Sequence, residues 1–274
     1  MRFILALFLC SAQLTFAADI IHVDASGRHG LSGRNGIDYS YSRGFDGISG
    51  SPGFRGGDGS RGRDGGDAGD AANGYPGGRL QARLQNHPEK SGFAILSVTI
   101  NGEQLSDREV NVAGGDRIIL SANGGRGGQG GKGGGGEEGG RGGKGGDANE
   151  WNNRSGDGGR GGDGGNAGRS TDGGNGGDGG EILLLLPTGQ EELARVVSME
   201  ASGGAAGAYP IGRPNAGRGG QGGEPGNHCY FNSNGYQCGF QGMRGFSGMD
   251  GRPAFSNPRP GYSGQQGRVE IRSF

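Results

Sequence analysis

Aromatic residues make up only 7% of this 274-residue chain, and hydrophobic residues of all kinds 30%. That inventory is too small for a large oily core, so the chain is either disordered or packed by a different logic. Neither sign of charge dominates: 27 basic residues face 28 acidic ones. Nucleic-acid binding, which needs a positive excess, is thereby disfavoured, and so is a polybasic membrane-surface role. No stretch of ~20 apolar residues occurs, which excludes a transmembrane helix. Proline is scarce, at 10 residues, far below the ~15–20% of a collagen, although Gly47 to Gly53 is locally collagen-like. Four histidines and three cysteines leave no recognisable Ser/His/Asp or Cys/His set. No nucleophile or acid–base pair can be named, so an enzyme is not expected, nor a cofactor.

The short apolar run that does exist lies at the start. Arg2, then Phe3 to Leu9, then Thr15-Phe16-Ala17 reads as a signal peptide over 1–17, with a basic n-region, an apolar h-region and small residues at the cleavage site. Its removal takes Cys10 away. Cys229 and Cys238 remain, nine apart in a loop-like segment, and an even pair this close in an oxidising compartment predicts a disulfide. His228 adds a third donor, but the adjacent His228-Cys229 pair lacks the paired spacing of a zinc site. No metal is expected there.

What is abundant is glycine, 72 residues, roughly a quarter of the chain against an ordinary ~7%. Its distribution has period three. From Gly124 to Gly146 nearly every triplet is Gly-Gly-X, with Arg126, Gln129, Lys132, Arg141 and Lys144 at X. The pattern resumes from Gly158 to Gly180. A looser Gly-X-X phase runs from Gly44 to Gly65, and strict threes return over Gly217–Gly226 and Gly239–Gly251. Three residues per turn and ~3.1 Å per residue describe a left-handed extended helix, which has no internal hydrogen bonds. Glycine on its faces lets backbones approach and bond between helices. The cost of ordering glycine means many such contacts must form together.

Apolar residues cluster where the glycine stops. Ile20-Ile21-His22-Val23, Ile118-Ile119-Leu120 and Val196-Val197-Ser198-Met199 each run through an alanine-containing tetrapeptide into glycine. The excursions end at Arg79 to Leu84, Glu181 to Leu186 and Arg268 to Arg272. The chain thus reads as one domain, 18–274, of three repeats of strand, glycine excursion (27–78, 124–180, 203–267) and strand, with an extra strand over Phe93 to Ile100. The predicted fold is mainly β, a small sheet or sandwich carrying a polyglycine-II helix bundle, with little or no α-helix. Breaks in the glycine phase at Ile37–Arg43, Glu137-Glu138, Glu150–Gly156, Ser170–Asp172, Tyr209–Ala216, Asn227–Cys238 and Arg252–Pro260 read as turns. They predict about a dozen legs of about ten residues, each ~30 Å long.

The Gly-Gly-X runs at 124–146 and 158–180 resemble those of polyglycine-II proteins such as the snow flea antifreeze protein and the tail-tip adhesins of T-even phages. The plan of glycine excursions springing from strands is similar to the glycine-rich extracellular region of the anaplastic lymphoma kinase receptor family. The resemblance implies a fold, not a function. Dinucleotide-type glycine patterns here lack the strand–turn–helix context they need. Gly158 to Asp163 matches six positions of a calcium-binding nonapeptide, but Gly165 replaces its aliphatic residue and no period of nine follows.

The function expected is that of a secreted structural or adhesive protein, binding a cell-surface or matrix component, protein or glycan, through turn tips. Trp151, Tyr209, Tyr230, Phe231, Tyr236 and Phe240 are its candidate contacts, because aromatics give rigid contact area, and the competing reading of each is packing against the bundle end. An ice-binding protein and a flexible wall or matrix filler are the alternatives. Charged X residues argue against a flat ice-binding face.

Overall fold

The computed structural model describes residues 18–274. The predicted signal peptide lies outside them. The fold is mainly β with almost no helix. Its strands are β1 (Ile20–Asp24), β2 (Arg79–Asn86), β3 (Phe93–Ile100), β4 (Glu103–Gln104), β5 (Arg108–Asn111), β6 (Arg117–Ser121), β7 (Glu181–Leu186), β8 (Val197–Glu200), β9 (Cys229–Asn232), β10 (Gly235–Cys238) and β11 (Arg268–Ser273). A short 3₁₀ turn spans Glu191–Val196. Among the described residues no helix is long and apolar enough to cross a membrane.

Alternating apolar residues create one buried face per strand. In β2 it is Leu80, Ala82 and Leu84; in β7 it is Ile182, Leu184 and Leu186. Two sheets bring these faces together. One holds β1, β6 and β8, all parallel; the other runs β11-β7-β2-β3-β4, with β5 also on β3. Ile21, Val23, Ile118 and Leu120 from the first sheet and Leu96, Val98 and Val110 from the second fill a single apolar core. Leu193 of the 3₁₀ turn closes it.

Each repeat leaves from the first sheet and returns to the second. Between them the chain makes two passes, giving six legs: I (25–53), II (54–78), III (122–147), IV (156–180), V (201–227) and VI (239–267). Legs I, III and V continue β1, β6 and β8. Legs II, IV and VI lead into β2, β7 and β11. So the two layers of the sandwich run on as two rows of legs. Sheets with side chains between them pack about 10 Å apart. Without side chains the rows close to hydrogen-bonding distance.

The bonding follows one rule. Each leg donates backbone N–H groups to the leg before it and to the leg two ahead, where those exist. In leg III, Gly127 N–H donates to Ala205 of leg V at 2.9 Å and Gly128 N–H to Ala72 of leg II at 2.9 Å. The third N–H of the triplet, that of Gln129, is accepted by Ser32 Oγ of leg I. The same side-chain caps recur. Asp58, Asp64 and Asp67 of leg II accept from Arg160, Asn166 and Arg169 of leg IV. Asp157, Asp163 and Asp178 of leg IV accept from Met243, Met249 and Gln265 of leg VI. All three donors of such a triplet are thereby satisfied.

Legs are longer and fewer than the phase breaks predict. Only 148–155 in the second excursion and the segment between Asn227 and Phe240 in the third reverse the chain, and Ser51–Phe54 closes the first. The other breaks lie midway along the legs at one level. There leg I bulges: Gly36 pairs with Lys132 but Gly44 with Glu138, so eight residues oppose six. The bulge removes the carbonyl that Arg63 N–H would meet, and the buried Glu137 carboxylate takes its place. Arg63 Nε also donates to Glu137 Oε2 at 2.9 Å, and its guanidinium lies over the Tyr39 ring. The Arg63 side chain and then its backbone N–H hold the Glu137 carboxyl down to about 2.

Candidate binding tip

Three chain reversals meet at the end of the bundle farthest from the sandwich. Ser51–Phe54 is the tightest: Phe54 N–H donates to Ser51 carbonyl at 2.8 Å, and Gly53 sits at φ 75°, where a side chain is disfavoured. Phe54 projects into solvent. The second reversal is organised by Asn149, whose Oδ1 accepts from the N–H of Trp151 and of Asn152, an Asx turn. Trp151 stands at its apex, 87% exposed.

The third reversal is the β9–β10 hairpin, with Gly235 at φ 99° in its turn. Cys229 and Cys238 face each other across the ladder and are joined in a disulfide. Phe231 and Tyr236 form the next-but-one pair on the same hairpin and are both exposed. Tyr230 is half-buried, opposite Gln237. His228 lies close enough to both sulfurs to form a three-donor cluster, but with those sulfurs bonded to each other the site offers no thiolate to a cation.

These reversals are tied together. Phe240 N–H donates to Asn153 carbonyl and Ser155 N–H to Phe240 carbonyl, both at 3.0 Å. The fully buried Ser155 accepts Gly242 N–H at 2.8 Å through its Oγ. Asp147 Oδ1 accepts from Asn227 N–H and from Lys144 Nζ; Lys144 first and then Asn227 hold its carboxyl below the usual range. Gly53 N–H donates to the carbonyl of Asp147.

Of the six aromatics singled out in the sequence, Trp151, Tyr230, Phe231, Tyr236 and Phe240 share this tip. Tyr209 does not. It belongs to the irregular middle of leg V, between Ala208 and Asn215, which accept from Gly130 and Gly136. Phe54 joins the tip without having been singled out, because its local Pro-Gly-Phe-Arg context read as one more Gly-X-X triplet. Met243, Phe246 and Met249 were missed as well. Three-residue spacing places them with Phe240 in an exposed row along leg VI, a regularity that the glycine phase itself would have revealed. No family model, no curated protein and no solved structure matches this chain.

Proposed function

We propose that the chain is a secreted structural or adhesive protein whose glycine legs form a rigid polyglycine-II bundle, holding an aromatic tip away from a β-sandwich base. The observation that carries this reading is the convergence of Phe54, Trp151, Phe231, Tyr236 and Phe240, all exposed, on three cross-bonded reversals at one end. Exposed aromatics on a rigid backbone bind at low entropic cost, and their flat faces suit sugar rings or a protein surface. The inter-leg bonds, three per triplet with a side-chain cap at X, support the bundle reading over a flexible filler. The disulfide at the tip and the apolar N-terminal run support secretion.

The test is binding of the fluorescently labelled protein to a glycan array and to intact cells. Trp151→Ala and Tyr236→Ala are each expected to reduce retention about ten-fold or more while leaving the thermal midpoint unchanged. Equal retention by both variants would remove the tip from the binding reading.

A further inference from the structure

Strand β1 forms one edge of the three-stranded sheet. Among the described residues β1 pairs with β6 alone. Arg117 N–H donates to Asp19 carbonyl and Ala25 N–H to Ser121 carbonyl. In a parallel ladder this alternation turns residues 19, 21, 23 and 25 toward β6. The N–H and C=O groups of Ile20, His22 and Asp24 therefore face an open edge. Beside that edge lies a cleft of about 310 Å³. Its apolar wall is the inner face of β3, with Leu96 and Val98, extended by Ile100 and Leu105.

Arg108 completes the cleft and breaks the pattern of its strand. It pairs with Leu96 across the β3–β5 ladder, and Val110, two residues on, is fully buried in the core. Arg108 thus occupies a position on the core-facing side of the sheet, at its margin, where an apolar residue would be expected. Among the described residues it takes part in no ion pair. Positions where a local rule is broken in this way are candidates for function.

We propose that this flank docks an extended peptide bearing a carboxylate, added as a fourth strand on β1 and parallel to it, like the rest of the sheet, so that the peptide residues facing the cleft also donate to β1. The open backbone groups of Ile20, His22 and Asp24 supply main-chain hydrogen bonds. Alternate side chains of the peptide enter the apolar cleft, and the carboxylate pairs with Arg108. This is strand addition, in which main-chain bonds give affinity and pockets give selectivity. The site is at the opposite end of the molecule from the aromatic tip and does not depend on the adhesive reading.

The probe is the peptide acetyl-Thr-Val-Thr-Val-Thr-Glu amide, whose valines and glutamate share one face, titrated into isotope-labelled protein and followed by NMR. Binding with a dissociation constant of about 1 mM or tighter is expected. It should shift the His22 backbone amide and the methyls of Val98, Ile100 and Leu105. Arg108→Gln should weaken it about five-fold or more and should not affect the same peptide ending in Gln. N-methylation of both valines should abolish it. Arg108 is exposed, so its variant leaves the core intact. Absence of shifts at millimolar peptide, or shifts insensitive to N-methylation, overturns the proposal. Octanoate reproducing the methyl shifts while the peptide leaves the His22 amide unmoved also overturns it, in favour of an amphiphile site.

Discussion

Glycine is used at single positions for a reason that can be read bond by bond. In central legs III and IV, the side-chain direction of one glycine of each triplet points at the next leg and that of the other at the leg two back. A methyl group on Gly159 would overlap the carbonyl oxygen of Gly57 and one on Gly158 that of Gly223. Neither position requires positive φ; the constraint is close approach. At the edges one neighbour is missing and glycine disappears with it. Leg I carries Arg28, Leu31, Arg34 and Ile37 where a preceding leg would dock, and leg VI carries Arg244, Ser247, Asp250 and Pro253 where a further one would. These side chains close the lattice, much as charges and proline blunt a sheet edge. Gly159→Ala should therefore destabilise by about 2 kcal/mol or more, read as a fall in the thermal midpoint, whereas Ser247→Ala should leave the midpoint within about 1 °C. An unchanged Gly159→Ala midpoint would falsify the close-approach account. Glu137 is the buried exception to the glycine rule. Its carboxyl titrates near 4.5 when unfolded and about 2 when folded, so its contribution is full above the unfolded value and is lost as pH falls toward 2. With Arg63 largely exposed, that contribution is about 1–3 kcal/mol. Melts recorded between pH 5 and pH 2 should show a steeper loss of midpoint for the native protein than for Glu137→Gln.

At the scale of elements, the strands flanking the three excursions, and β3, are legible in the sequence because two periods, two and three, alternate along the chain, whereas β4, β5 and the β9–β10 hairpin are not. Nor is the division of excursions into legs. Tyr209–Ala216 and Arg252–Pro260 carry the proline, asparagine and aromatic residues of turns, yet both stay in line. Each absorbs one extra residue and is re-engaged from outside: Ala208 and Asn215 accept from Gly130 and Gly136 of leg III, and Arg252 and Arg259 from Ala167 and Gly173 of leg IV. A neighbour's register is not written in local composition. The assignment of outgoing and returning strands to different sheets is equally hidden, since Leu80 and Ile118 look alike until the glycine rows place them in separate layers. The tip was half legible, because the turn around Trp151 has an Asx signature while the exposure of Phe54 depends on where leg II begins. The Cys229–Cys238 hairpin stands outside the inter-leg bonding, tied to it at His228–Phe240. Reduction should therefore act locally. Amide exchange of residues 229–238 should accelerate under reductant, while the exchange of 158–180 stays within error, and acceleration in both regions would mean that the hairpin anchors the whole end of the bundle.

At the scale of the molecule, the layers that hold the apolar core and the layers that hold the glycine lattice are the same two layers. The sandwich supplies what the lattice lacks. Its core contains Leu80, Leu84, Leu96, Ile118, Leu120, Ile182, Leu184 and Leu186, all essentially inaccessible, and burying each such side chain contributes about 1.5–3 kcal/mol. The glycine legs, by contrast, lose much backbone entropy and bury few side chains. They are stabilised by being started in register: Ala25 bonds to Ser121 and Ala122 to Glu200 at the junctions, so the ladder passes from strand to leg without a gap. On this account the sandwich is the nucleus and the lattice grows from it. Val98→Asp, which places an unpaired charge in the core, should cost the whole molecule its order and not the sandwich alone. Small-angle scattering separates the cases. On the proposed polyglycine-II reading, with legs of about 25 residues rising ~3.1 Å each, the native protein should be a rod with a maximum dimension of about 100 Å, and the variant should expand toward the radius of gyration of about 55 Å expected for an unfolded chain of this length. A variant that keeps the rod profile while its sandwich methyl resonances collapse would show instead that the glycine lattice stands without its base.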